Sequence, residues 1–162
     1  MKNSPLLIQL LNNGDEVSVL EFCARTGGNM KWLLIKYSCG VDVITATIDI
    51  TLGLQPKFEL KNTGYNIVVN DFIYCSPGVF DHFEGFEEMV DQGFINEFYP
   101  ARIKGTEMRG VNSSGDRIAG MNIVADSYEE FNEKEKKILK NVKVVDTEGN
   151  DIMRRDLLTE LV

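Results

Sequence analysis

The sequence predicts an α+β chain in two parts, residues 1–56 and residues 57–162. Three observations carry this reading. An alternating, β-branched run at residues 17–22 follows a turn cluster and an earlier apolar stretch, the pattern of a β-hairpin. Two apolar helical segments follow, each stopped by a glycine, Gly40 and Gly53. After about residue 57 the chain becomes a series of short strands separated by Gly, Ser, Pro and Asp clusters, with one long charged helix near its end.

The elements justify themselves in order. Residues 6–11 are apolar and strand-like, and Asn12-Asn13-Gly14-Asp15-Glu16 makes a turn because Asn and Gly tolerate positive φ. Residues 17–22 pair back on the first strand. Gly27-Gly28 breaks the second strand, Asn29 is placed to cap a helix running to Cys39, and Gly40 stops it. Asp42 caps a second helix that carries Val43, Ile44, Ile48 and Ile50 toward Gly53. Its β-branched content is high, so burial rather than propensity must drive it. Pro56 marks the boundary between the two parts.

In the second part, residues 66–75 read as a strand and Ser76-Pro77-Gly78 as a turn. Residues 79–83 form a short strand, and residues 84–92 a short helix ended by Gly93. Residues 94–99, 101–109 and 118–125 are further strands. Ser127 caps a helix over 128–142, with Glu130 three residues on as in a capping box. Residues 142–145 and the Glu148-Gly149-Asn150 turn complete a terminal β element, followed by a short polar helix from Met153. Together these predict a β-rich, barrel-like domain with one long helix.

Composition narrows the function classes. The 162 residues are 43% hydrophobic with a net charge of −8, which excludes a general nucleic-acid surface, since phosphate neutralisation needs clustered Lys and Arg. Residues 1–58 balance five basic against five acidic groups, so the excess negative charge lies in the second part. Cys23, Cys39 and Cys75 are odd in number and form no CxxC pair, which argues against a zinc site and suits a reducing compartment. The apolar run after Met1-Lys2-Asn3-Ser4-Pro5 is too short for a signal peptide, and no stretch is long enough to span a bilayer. A cytoplasmic protein without membrane partners is the expectation.

Chemistry concentrates in Glu21-Phe22-Cys23-Ala24-Arg25-Thr26-Gly27-Gly28, with Gln9 on the preceding strand. Alternation points Glu21 and Cys23 to one side, along with Val17 and Val19, as though a buried face ended in a cleft. Glu21 can supply a hard oxygen to Mg²⁺, whereas Cys23 is a soft donor poorly suited to it. Gly27 and Gly28 let a backbone approach phosphate closely, the following helix N-terminus favours an anion, and Arg25 adds a bidentate donor. From spacing alone, the commoner reading of these residues is an exposed glutamate at a strand end and a glycine turn into a helix. His82, the single histidine, reads as a half-buried, hydrogen-bonded side chain beside Asp81, and Cys39 and Cys75 as small core residues.

The run from Val19 to Gly28, followed by Leu34-Ile35-Lys36-Tyr37-Ser38-Cys39-Gly40-Val41-Asp42-Val43-Ile44 and Asp49-Ile50-Thr51-Leu52-Gly53, resembles the end of an ATP-grasp module. The family pattern is a Glu-x-Asn-Pro-Arg run after a hairpin, then a Gly- or Ser-containing loop and a helix. Cys23 stands in place of Asn and Ala24 in place of Pro, as in a branch with Glu-Phe-Ser/Cys-Ala-Arg. Ser114-Gly115-Asp116-Arg117-Ile118-Ala119-Gly120, Asp126-Ser127-Tyr128-Glu129-Glu130 and Val145-Asp146-Thr147-Glu148-Gly149-Asn150 resemble the domain that follows in that branch.

This resemblance implies a carboxylate–amine or carboxylate–thiol ligase that uses ATP and Mg²⁺ and acts through an acyl phosphate on a small-molecule carboxylate. It implies Gln9, Glu21 and, marginally, Cys23 as metal ligands. It places Arg25, Gly27 and Gly28 at the nucleotide phosphates, with Arg25 also catalytic. It further implies that the rest of the site lies on the N-terminal remainder of the ligase, in the same gene or a neighbouring polypeptide, without which this chain is inactive. The rival reading is a non-catalytic binding or dimerisation module, with a homodimer as its natural state.

Overall fold

In the computed structural model, residues 4–158 are described. They divide into two compact units, one ending at Thr63 and the other starting at Gly64. The Met1-Lys2-Asn3 start of the segment read for a signal peptide lies outside the described residues.

The first unit begins with the expected hairpin, β1 (Leu7–Asn12) antiparallel to β2 (Val17–Cys23). Asn12 and Asn13 hold its turn. The Asn12 side chain accepts from the Gly14 amide at 2.8 Å, and that of Asn13 accepts from the amides of Asp15 and Glu16. Helix α1 (Lys31–Cys39) ends on Gly40, whose φ of 74° is the left-handed C-terminal stop. Helix α2 (Val43–Thr51) is capped by Asp42, which accepts from the Thr45 amide at 3.0 Å. That contact, with the Thr45 hydroxyl, holds the Asp42 carboxyl below its usual range. Among the described residues of this unit only Leu33 and Val41 are buried apolar side chains.

The second unit has a full core. Strands β3 (Ile67–Ile73), β7 (Ala119–Ala125) and β5 (Glu97–Pro100) form one antiparallel sheet with β7 central. Strands β6 (Glu107–Met108), β4 (Gly78–Glu84) and β8 (Lys143–Asp146) form another with β4 central. Two helices complete it, α3 (Phe86–Asp91) and α4 (Tyr128–Asn141). Phe86, Phe131, Ile138, Met121, Ile123, Ile73 and Val144 join both sheets and both helices in one cluster. Every residue of β7 is buried, as expected of a central strand covered on both faces.

The barrel expectation is corrected. Among the described residues the strands form two three-stranded sheets, and no closed barrel is found. Residues 101–109 are mostly loop, with only Glu107–Met108 pairing, because Gly105 adopts φ 86° and Thr106 turns back on the Ile103 carbonyl. Ser127 caps α4 through the Glu130 amide at 3.2 Å, while the Glu130 carboxylate reaches one residue further back, to the Asp126 amide at 2.8 Å. In place of the short polar helix from Met153 there is a single 3₁₀ turn, Arg155–Leu157, and residues 159–162 lie outside the described residues.

Candidate functional site

Strand register decides the site. Gln9 pairs directly with Glu21, but Leu10 pairs with Val19, so Leu20 is an extra residue, a β-bulge in β2. Cross-strand partners share a face and neighbours along a strand alternate. Leu7, Gln9, Glu21 and Cys23 therefore share one face, along with Leu11 and Ser18. Ile8, Leu10, Val17, Val19 and Phe22 share the other. This corrects the expectation that Val17 and Val19 lead into Glu21 on a single buried face. The bulge moves the valines to the opposite side, and both are exposed. Gln9 and Glu21 are brought side by side, with Cβ atoms about 5 Å apart as for any directly opposed pair.

Past β2 the chain turns sharply. The Arg25 amide donates to the Cys23 carbonyl at 2.9 Å, and the Arg25 guanidinium donates to the Thr26 carbonyl at 2.9 Å. Arg25 is thus anchored to its own loop, with its remaining donors exposed. The left-handed residues before α1 are Asn29 (φ 60°) and Met30 (φ 57°) rather than the two glycines. Met30, not Asn29, occupies the N-cap position, and no side chain caps the helix there. Gly27 has a different use. A Cβ on it would lie 2.3 Å from the Lys31 Cδ, so the absence of a side chain lets the Lys31 stem lie across the loop. At Gly28 an added Cβ would meet nothing within 4 Å.

Behind this loop lies a groove of about 690 Å³ between the start of β1, the loop, α1 and α2. Leu7, Leu34, Val41, Val43, Ile50 and Phe58 supply much of its apolar wall. Gly27 and Thr26 stand at its edge, and Lys31 is the one charged lining residue. Glu21, Cys23 and Arg25 are not part of its wall. Sequence reasoning passes over Lys31; its only signal is a lysine at the first helical position after the glycines.

The chemistry of the donor set tests the implied metal. Glu21 offers a carboxylate and Gln9 an amide oxygen on one face, both hard donors that suit Mg²⁺, an ion that takes one or two protein ligands plus phosphate and water. Cys23 shares the face but does not fit, since a thiol is soft. Among the described residues no group of three His, Cys, Asp or Glu side chains could hold a metal. The pair fits an ion carried in with a phosphate ligand rather than a resident one.

The second unit also holds a charged cluster around His82, of which sequence reasoning named only His82 and Asp81. A bulge at Asp81 between Phe80 and His82 in β4 lets adjacent residues meet. His82 Nδ1 lies 2.7 Å from Asp81 and Nε2 lies 3.3 Å from Glu84. Lys104 pairs with Asp81 at 2.6 Å and Lys143 with Glu84 at 2.8 Å. The chain alternates in sign along its length. Asp81 chiefly, then Glu84, raises the His82 pKa. The lysines chiefly lower those of the two carboxylates.

No family model matches the sequence, and no curated protein matches it either. Solved structures do. Phosphoribosylglycinamide synthetase from Anaerococcus prevotii superimposes with a TM-score of 0.72 at 14% identity, over 88% of this chain and 37% of that one. An L-amino acid ligase from Bacillus licheniformis gives 0.67 at 18% identity, over 89% and 38%. The biotin carboxylase domain of 2-oxoglutarate carboxylase from Hydrogenobacter thermophilus, solved with MgADP and bicarbonate, gives 0.63 at 16% identity, over 87% and 32%. The chain thus spans about a third of the length of the structures it matches. No helix among the described residues is long and apolar enough to cross a membrane. Over the part that it spans, this chain carries the fold of the ATP-grasp ligases.

Proposed function

We propose that this chain contributes part of the Mg²⁺–ATP site of an ATP-dependent ligase that joins a small-molecule carboxylate to an amine or thiol. The observation that carries the reading is the register of the hairpin, which sets Gln9 beside Glu21 on one face and leads straight into the Arg25 loop. In this reading Glu21 and Gln9 hold the metal through hard oxygens, and Cys23 contributes nothing to it. Arg25 faces the phosphates with the donors left over from its bond to Thr26. Mg²⁺, when bound, neutralises phosphate charge and orients the terminal phosphoryl group. The carboxylate oxygen attacks that phosphorus, ADP leaves, and the nucleophile then displaces phosphate from the acyl phosphate. The other half of the site belongs to the N-terminal remainder of the ligase, in this polypeptide or a neighbouring one, and the chain alone does not turn over ATP.

Calorimetry of ATP with and without Mg²⁺ tests this, on the chain alone and mixed with the polypeptide encoded immediately upstream. The expected result is Mg²⁺-dependent binding in the mixture, weakened at least about tenfold by Glu21→Ala, the cost of one charge-assisted ligand. Absence of binding in a folded mixture overturns the reading.

A second reading, a non-catalytic dimerisation module, is favoured by the other face of the ribbon. Ile8, Leu10, Val17, Val19 and Phe22 are all about half exposed or more and carry no charge. Sedimentation of the chain by itself decides whether copies associate through it.

A further inference from the structure

The groove beside the Arg25 loop combines three features that the proposed nucleotide site does not use. It is an open groove lined mostly by aliphatic side chains, with Phe58 its one aromatic ring and Ser4, Thr26 and Gln55 its neutral polar residues, and its size falls in the range of small-molecule pockets, about 300–1,000 Å³. Lys31, an exposed side chain, is its one charged lining residue. It opens next to the site face: Leu7, which lines it, is the cross-strand partner of Cys23 and shares a face with Gln9 and Glu21.

From these we infer that the groove binds an organic acid with an apolar body, its carboxylate paired with Lys31 and its hydrocarbon part lying along Leu34, Val43 and Ile50. An apolar wall rejects a polar metabolite, because each buried hydroxyl or amine of the ligand would lose its hydration without a partner. A lone cation selects an anion over a neutral or cationic analogue of equal shape. Gly27 is a positioning residue here. Its missing side chain is what allows the Lys31 stem to cross the loop, and a methyl group there would push the stem aside. Backbone strain is not involved, since Gly27 does not adopt a positive φ. Calling this acid the acyl substrate rests on the ligase reading above; its binding does not.

The test is titration of the full chain with decanoate, decanol and decylamine at a pH near neutrality, following Trp32, the one tryptophan and the neighbour of Lys31 on α1. Decanoate should bind at least about tenfold more tightly than the other two. Lys31→Met and Gly27→Ala should each bring decanoate binding down to within about twofold of decanol binding measured on the same variant. Ala46→Phe, which fills the groove from α2, should abolish binding of all three with the circular dichroism spectrum intact. Equal binding of acid and alcohol, a preference that survives Lys31→Met, or no binding by a folded chain each overturns the inference. Because no nucleotide is present, failure here leaves the ATP measurement standing, and failure of ATP binding leaves this one standing.

Discussion

Replacing Gly85 with alanine separates two costs that glycine substitutions usually mix. Gly85 joins β4 to α3 at φ 78°, where an L side chain costs about 1–2 kcal/mol. A Cβ there would also sit 2.1 Å from the Asn141 carbonyl oxygen and 3.0 Å from its carbon, both backbone atoms that no rotamer change can clear. Moving backbone in a packed core costs about 1–3 kcal/mol more. Gly93 is the internal control: its φ is 76°, yet a Cβ there meets nothing within 4 Å. Gly93→Ala should therefore lose about 1–2 kcal/mol and Gly85→Ala about 2–5 kcal/mol, a large part of a typical domain's stability of about 5–15 kcal/mol. The assay is urea-dependent alkylation of Cys75, which is 1% exposed in the core of the same unit and becomes reactive only when that unit opens. With a slope of about 1–3 kcal/mol/M, the midpoint for Gly85→Ala should fall about 1 M below that for Gly93→Ala. Equal midpoints for the two variants would refute the steric argument and leave only the conformational one.

Two further outcomes follow from the same structure. The thiol of Cys75 is pushed up to about 12 by burial, with the Asp151 charge adding to it, so iodoacetamide at pH 8 should modify Cys23 and Cys39 in the native chain and reach Cys75 only after denaturation. For His82, the folded pKa is raised by its bond to Asp81, with Glu84 assisting and Lys104 and Lys143 facing the same carboxylates. Its contribution is therefore fully present below the unfolded value near 6.5 and is lost as pH rises through the folded value. An NMR titration should place His82 above 6.5, and Asp81→Asn should bring it down; a value unchanged by that substitution would show that the contact is not made in solution.

Local chemistry made much of the fold legible. The Asn12-Asn13-Gly14 turn, the Gly40 stop, and the Asp42 and Ser127 caps each depend on residues within about four positions, and each stands where its pattern puts it. The charge at Lys31 and the partners of His82 were harder to see. The direct partners of His82, Asp81 and Glu84, are near in sequence but are set by a bulge, and the lysines that complete the cluster come from far off, as Lys143 reaches Glu84 across 59 positions. Asn29 shows a failure closer to home. It has the side chain of an N-cap, but it enters the left-handed region together with Met30, so the helix starts one residue later with no side-chain cap.

By itself, the sequence determined which segments turn, which start and stop helices, and which residue types gather around the second strand, because these follow from backbone preferences and short hydrogen bonds. Only the tertiary structure decided faces and partners. One extra residue at Leu20 moved Val17 and Val19 to the side opposite Glu21 while setting Gln9 against it, and no periodicity count locates a bulge. Likewise, strands that suggested a barrel became two three-stranded sheets. Strand pairing is chosen by contacts far apart in sequence, and a closed ring needs two edge strands to meet, a condition that no local pattern encodes.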